Sequence, residues 1–191
     1  MQYAQFEEQK ALAGVLYIAH RLQEESPDRR ADLYKLLKIF YFADRKHLAR
    51  YNRAIAGDHY VAMNNGPVPS RIYDMMKFIR GDGYFLGDDS FIRRVKASLR
   101  FSDHITVDPL VNPDLDELSE TDIECIDEAI QQYCSHSFGQ LRQESHDAAF
   151  EQADQDDCMN FEDIARAGGA SDDMVEYIHN WLENTNFRFA Q

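Results

Sequence analysis

The chain lacks most of the patterns that announce a chemistry. It has no GxSxG, no GxGxxG and no P-loop, so neither a nucleophile elbow nor a glycine cradle for phosphate is encoded. Its three cysteines, Cys125, Cys134 and Cys158, contain no CxxC pair and cannot all pair with one another. That excludes a disulfide scaffold and favours a reducing, cytoplasmic setting. No apolar run approaches the ~18 residues that a membrane-spanning helix needs. The opening MQYAQFEEQK has neither a basic region nor an apolar core, so no secretory signal is expected and no membrane partner. Basic residues are scarce in one half only. The first hundred positions hold 17 of the 20 Lys and Arg and 12 of the 34 Asp and Glu, so the remainder carries 3 basic and 22 acidic residues. An acidic half repels phosphates and disfavours general nucleic-acid binding; it suits solubility or a basic partner.

What is present is the composition of a globular protein. Hydrophobic residues make up 44% and aromatics 12% of 191 residues, enough for a sizeable core, and one domain over 1–191 is expected. Leu12, Val15, Leu16, Ala19 and Leu22 recur at helical spacing and predict a helix over 8–23, broken by Ser26-Pro27-Asp28. Leu33, Leu36, Leu37, Phe40, Tyr41 and Leu48 predict a second over 32–50, with Asp32 as N-cap. Lys35, Lys38, Arg45, Lys46 and Arg50 fall mostly on its opposite, solvent side. Residues 57–63 suit a strand and Asn64-Asn65-Gly66 a turn. Gly66-Pro67-Val68-Pro69 reads as a rigid connecting loop, because two prolines remove two backbone donors and restrict the residues before them.

A third helix is expected from Pro69 or Ser70 to Arg80, ended by Gly81. Segments 91–95, 97–101 and 105–107 read as short strands of an antiparallel hairpin or meander. Ser119 with Asp122, and Ser137 with Gln140, carry the capping-box pattern of a helix start. Asp154 to Asp157 is a polar break, and a last helix is expected over 171–181. The whole is α+β and predominantly α-helical: a single compact helical domain with a small antiparallel β-sheet or hairpin.

Candidate chemistry is thin. Cys134-Ser135-His136 with Cys125 invites a metal, but the spacing matches no standard zinc pattern, and Cys125 falls on an apolar helix face where free thiols are common. No metal, cofactor or catalytic residue is assigned. His146 or His47 would be the base of a small hydrolase, the enzyme alternative; His146 would otherwise hydrogen-bond a helix end. Tyr41, Asp44 and His47 recur every three residues and share a helix face. They form either a site or a buried polar network that anchors the strand carrying Tyr60. A loop braced by prolines loses little entropy on docking. The expected partner surface is therefore Gly66, Pro67, Val68 and Pro69, with Tyr60, the Tyr41, Asp44 and His47 row, Tyr73, and part of the acidic half.

One segment also resembles a known family. Leu36-Leu37, Tyr41-Phe42-Ala43-Asp44-Arg45, His47-Leu48, Arg50-Tyr51, Ala54-Ile55-Ala56-Gly57-Asp58, Tyr60-Val61-Ala62-Met63, Gly66-Pro67-Val68-Pro69 and Ile72-Tyr73-Asp74 resemble the Panacea domain of SocA-like antitoxins. The likeness extends more weakly to Ser145-His146, for a family core over about 33–150. Asn52 stands where the family often has Gly, and Asn tolerates the same left-handed turn; Phe150 stands where Trp is common. The resemblance implies binding rather than catalysis. It points to a cytoplasmic, bacterial or prophage-associated antitoxin that neutralises a cognate protein toxin by direct contact. One branch of the family is an adaptor that delivers its toxin to a cytosolic AAA+ protease, and that is the alternative the resemblance carries.

Overall fold

The computed structural model describes residues 6–188, with side chains as far as Leu182. Helix α1 (Glu8–Glu25) buries Leu12, Val15, Leu16, Ala19 and Leu22, the expected stripe. Helix α2 (Leu33–Tyr51) begins where the Asp32 side chain accepts a hydrogen bond from the Lys35 amide at 3.0 Å, and stops at Asn52, whose φ of 57° is left-handed. Strands β1 (Tyr60–Met63) and β2 (Gly66–Pro69) pair antiparallel, Tyr60 opposite Pro69 and Met63 opposite Gly66. Helix α3 (Ser70–Arg80) leaves β2 without a linker. After α4 (Asp89–Ser98), β3 (Leu99–Phe101) and β4 (Val107–Pro109) form a second antiparallel pair. Helices α5 (Glu120–Tyr133) and α6 (Phe138–Ser145) each open on a complete capping box, Ser119 with Asp122 and Ser137 with Gln140. Short helices α7 (Ala148–Gln152) and α8 (Phe161–Ala167) and the longer α9 (Asp172–Arg188) follow.

The architecture is α+β and predominantly helical. Helix α2 is its axis: α1, α5, α6, α8, α9 and β2 all pack against it. A helix enclosed on so many sides buries polar as well as apolar positions, and α2 buries Lys38, Asp44 and His47 beside Phe40, Tyr41 and Phe42. The chain after α7 runs back along the free side of β1. The Ala62 amide donates to Asp157 O at 3.0 Å, and the Met159 amide to Tyr60 O at 2.8 Å. That leaves β2 on the edge of the small sheet, the position where prolines are tolerated.

The structure corrects several expectations. Residues 91–95 are helical, not extended. The Asp88 side chain accepts from the amides of Ser90 at 2.7 Å and Phe91 at 2.9 Å, and Phe91 and Val95 are buried one turn apart while Arg93, Arg94 and Lys96 face solvent. Gly66–Pro69 is strand β2, not a loop, because Val68 and Gly66 sit at positions able to pair with β1. Lys38 is inside rather than on a solvent face, because β2 and α6 cover that side of α2. Residues 105–107 are also only partly in β4; their extended backbone instead joins the start of α2, with the Leu33 amide donating to Ile105 O at 2.8 Å.

Candidate functional site

The C-terminal half of α2 carries a buried polar network whose members are all engaged. Asp44 accepts from the Ile55 amide at 2.5 Å and from Tyr60 Oη at 2.6 Å, which pins the chain after α2 and strand β1 to the helix. Burial pushes the Asp44 carboxyl up to about 6 despite those two bonds. One turn on, His47 Nδ1 lies 2.8 Å from Arg53 O, while Nε2 lies 3.1 Å from both Thr121 Oγ1 and Asp122 Oδ1. Asp122 also pairs with Lys10 at 3.0 Å and Arg53 at 2.9 Å. Burial alone would raise its pKa; the bonds from His47, the Ser119 amide and Lys10 outweigh that and hold it well below the usual carboxylate range. On the next face, Asp147 accepts from Tyr41 Oη at 2.8 Å and Arg45 Nη1 at 2.6 Å, and caps α7 as well.

The N-terminal half of α2 meets the β1–β2 hairpin differently. Lys38 Nζ donates to Pro67 O at 2.5 Å, supplying the outer edge of β2 with the donor that the prolines cannot. Its ammonium also lies 5.1 Å from the centre of the Tyr34 ring. It has no ion pair among the described residues, and burial lowers its pKa to about 7. Gly66, at φ 96°, lies hard against this group: a β-carbon there would sit 2.6 Å from Ser145 Oγ and 3.0 Å from Lys38 Nζ. His146 closes the cluster, its ring stacked on Phe150 with centroids 4.0 Å apart and its Nε2 sealed without a partner. At the hairpin tip Tyr34 Oη donates to Asn65 O at 2.9 Å. Phe138, the first residue of α6, packs its ring 4.4 Å from Tyr34 while remaining 53% exposed. Asp58 closes the other end of the hairpin by accepting from the amides of Arg71 at 3.0 Å and Ile72 at 2.9 Å, the open start of α3.

These elements, from α2 through the hairpin to α7, coincide with the span of a known family. The profile described as antitoxin SocA-like, Panacea domain, matches residues 36–151. The chain belongs to this family. No curated protein and no solved structure matches it.

Within the Panacea domain the residues expected to contact a partner divide by burial. Tyr41, Asp44, His47 and Tyr60 are wholly buried and bonded to one another's surroundings, so they support the hairpin and do not reach a partner themselves. Gly66, Pro67 and Pro69 are buried too; Val68 and Tyr73 are half-exposed. His47 has both nitrogens engaged and no exposure, which removes it as a general base. Cys125 lies in the core, and Lys35 Nζ takes the Cys134 carbonyl at 2.7 Å. Among the described residues no group of His, Cys, Asp and Glu is placed to hold a metal ion. Sequence reasoning missed Lys38, Asp58, Asp122 and Asp147. One signal for Lys38 was present: two prolines on one strand leave carbonyls that need a donor from elsewhere. Asp58 gave none, since it caps a helix that starts twelve residues further on.

Proposed function

We propose that the chain neutralises a cognate protein toxin by direct contact, through the surface formed by the β1–β2 hairpin tip, Tyr34 and Phe138. Membership of an antitoxin family supplies the role. The observation that carries the surface is Phe138, an exposed aromatic seated on Tyr34, which is itself tied to the hairpin turn. Exposed aromatics on a rigid base bury large area at small entropic cost, and such residues dominate protein interfaces. The bond from buried Lys38 to the Pro67 carbonyl ties the strand beneath the hairpin to α2. The acidic second half suits a basic toxin.

Co-expression with the product of the adjacent gene tests this reading. The expected result is growth arrest by the neighbour alone and rescue by this chain. A neighbour that is harmless alone, or that remains toxic beside this protein, overturns it. Phe138→Ser separates surface from scaffold. Rescue and toxin affinity should fall by roughly tenfold or more, while the melting temperature stays within the small range of an exposed substitution. An unchanged affinity moves the interface elsewhere.

A further inference from the structure

The loop between α3 and α4 presents the two most exposed large hydrophobic side chains among the described residues, Tyr84 at 94% and Leu86 at 84%. Between them Phe85 is buried, its ring centroid 5.8 Å from that of Phe91. Arg71 clamps the loop from α3. Its guanidinium lies 5.4 Å from the centre of the Phe85 ring, and its Nη2 donates to Leu86 O at 2.7 Å. Gly87 passes so close to this ring that a β-carbon would meet Phe85 Cε1 at 2.9 Å, and Asp88 then caps α4. The loop is fixed at its base, so Tyr84 and Leu86 stand out as a preformed apolar knob. Exposed apolar residues grouped in this way mark contact surfaces, unlike ones scattered singly.

A recess lies on the same molecule. Between α1, α4 and the chain after β4 is a groove of about 210 Å³, floored by Leu12, Ala13 and Leu16 and rimmed by exposed Val111. An apolar cavity of about 150 Å³ admits a benzene ring, so the groove has room for one phenol or leucine side chain. The flanks of the two features differ in charge. Asp114 and Glu117 line the groove, whereas Arg93 and Lys96 are exposed on α4, the helix into which the loop leads. Arg94 also lines the groove, where its Nη1 donates to Gln9 Oε1 at 2.8 Å. Within one chain knob and groove do not meet, since Tyr84 and Leu86 remain exposed.

We infer that two copies of the chain associate by exchanging these features, the Tyr84–Leu86 knob of each seated at the groove of the other. A second copy is the occupant because it brings a recess of fitting size whose carboxylates complement the cations beside the knob. Apolar burial supplies the attraction, and Arg93 and Lys96 of one copy against Asp114 and Glu117 of the other supply the orientation. Knob and groove flank α4: the loop ends where this helix begins, and Arg94 and Ser98 further along it line the groove. One two-fold axis can therefore satisfy both contacts at once and close the assembly as a dimer. The patch is small and each copy carries a net charge of −14, so the dimer is a weak one. The surface shares no residue with Tyr34, Phe138 and the hairpin tip, and the inference does not rest on the toxin-binding reading.

Sedimentation equilibrium of the full chain tests this. The expected result is a reversible monomer–dimer equilibrium. Leu86→Ser at the knob and, separately, Val111→Glu at the groove should each weaken dimerisation by roughly tenfold or more. Both side chains are exposed, so the melting temperature of each variant should stay within the small range of a surface change. Mixing the two variants is the decisive arm. A mixed pair holds one intact knob facing one intact groove, whereas a pair of either variant alone holds none, so the mixture should recover part of the lost association. A wild-type chain that stays monomeric up to about 1 mM overturns the inference. So does a dimer indifferent to both substitutions, or one that the mixture does not restore, because its contact is then not knob in groove. If the pure chain is monomeric and Leu86→Ser instead lowers affinity for the toxin, the loop belongs to the toxin surface and self-association is overturned.

Discussion

Helix α2 carries buried charge at both halves, and the two halves treat it in opposite ways. Around Asp44 and His47 the polar atoms face partners from α1, the segment after α2, β1 and α5. Around Lys38 one cation meets one carbonyl, and a neighbouring histidine nitrogen meets nothing. The first arrangement is what a scaffold requires, because a low-dielectric interior rewards a network only when every member is satisfied. The second leaves a buried ammonium without a counter-ion and a ring nitrogen without a partner.

Substitutions at the two halves should separate them. Asp122→Ala is expected to have the largest effect. It strands Lys10, Arg53 and His47 around a vacated site, and breaking a buried ion-paired group costs about 3–5 kcal/mol. Urea denaturation at neutral pH reads this directly, and a loss below that of an ordinary surface change would show that the network is not what holds α5 to α2. The wild-type contribution has a definite sign with pH. The folded Asp122 pKa lies below its unfolded value of 3.8, so the stabilisation is complete above that value and lost as pH falls through the folded pKa.

Gly66→Ala should come next, at about 1–3 kcal/mol, since a β-carbon meets Ser145 Oγ at 2.6 Å on a backbone at φ 96°. Rescue of that loss by Ser145→Gly in the double variant would attribute part of it to the crowding rather than to the backbone.

Lys38→Met should be the mildest, within about 1 kcal/mol of wild type or more stable, because replacing an unpaired buried charge by a group of similar size removes its desolvation cost. Here too the sign with pH is fixed. The folded Lys38 pKa of about 7 lies below the unfolded 10.5, so the unfolded chain binds more protons between those values. Wild-type stability relative to Lys38→Met should rise as pH climbs from about 7 to about 10.5. Thermal melts of both proteins across that window check it. A strong destabilisation by Lys38→Met would make the two halves of α2 alike and remove the contrast.

Much of the fold was legible because the signals that mark it are local. Asp32, the Ser119 and Ser137 capping boxes, Asn52 and Gly81 mark helix ends through contacts within four residues, and each works in the structure as its chemistry suggests. The strand expected at 91–95 failed for a related reason. Its apolar residues fit either period, and the deciding signal was the Asp88 cap, which lies outside that segment. At the candidate site the legible part was the Tyr41, Asp44 and His47 row as a possible anchor for Tyr60, which the Asp44–Tyr60 bond at 2.6 Å realises. The partners Asp122 and Asp147 were illegible, since each lies more than seventy residues from the α2 side chain it holds.

The sequence by itself determined the helical character, the caps, the hairpin's rigidity and the family to which the chain belongs. Only the tertiary structure decided which faces of those elements meet water. Amphipathic periodicity assigns one inside face to a helix, but α2 is enclosed on several sides, so Lys38 went inside against its local pattern. The proline-braced segment followed the same rule in reverse. Its stiffness is written in Pro67 and Pro69, but whether it would be a presented loop or a buried edge strand depended on β1, Lys38 and Ser145 arriving beside it.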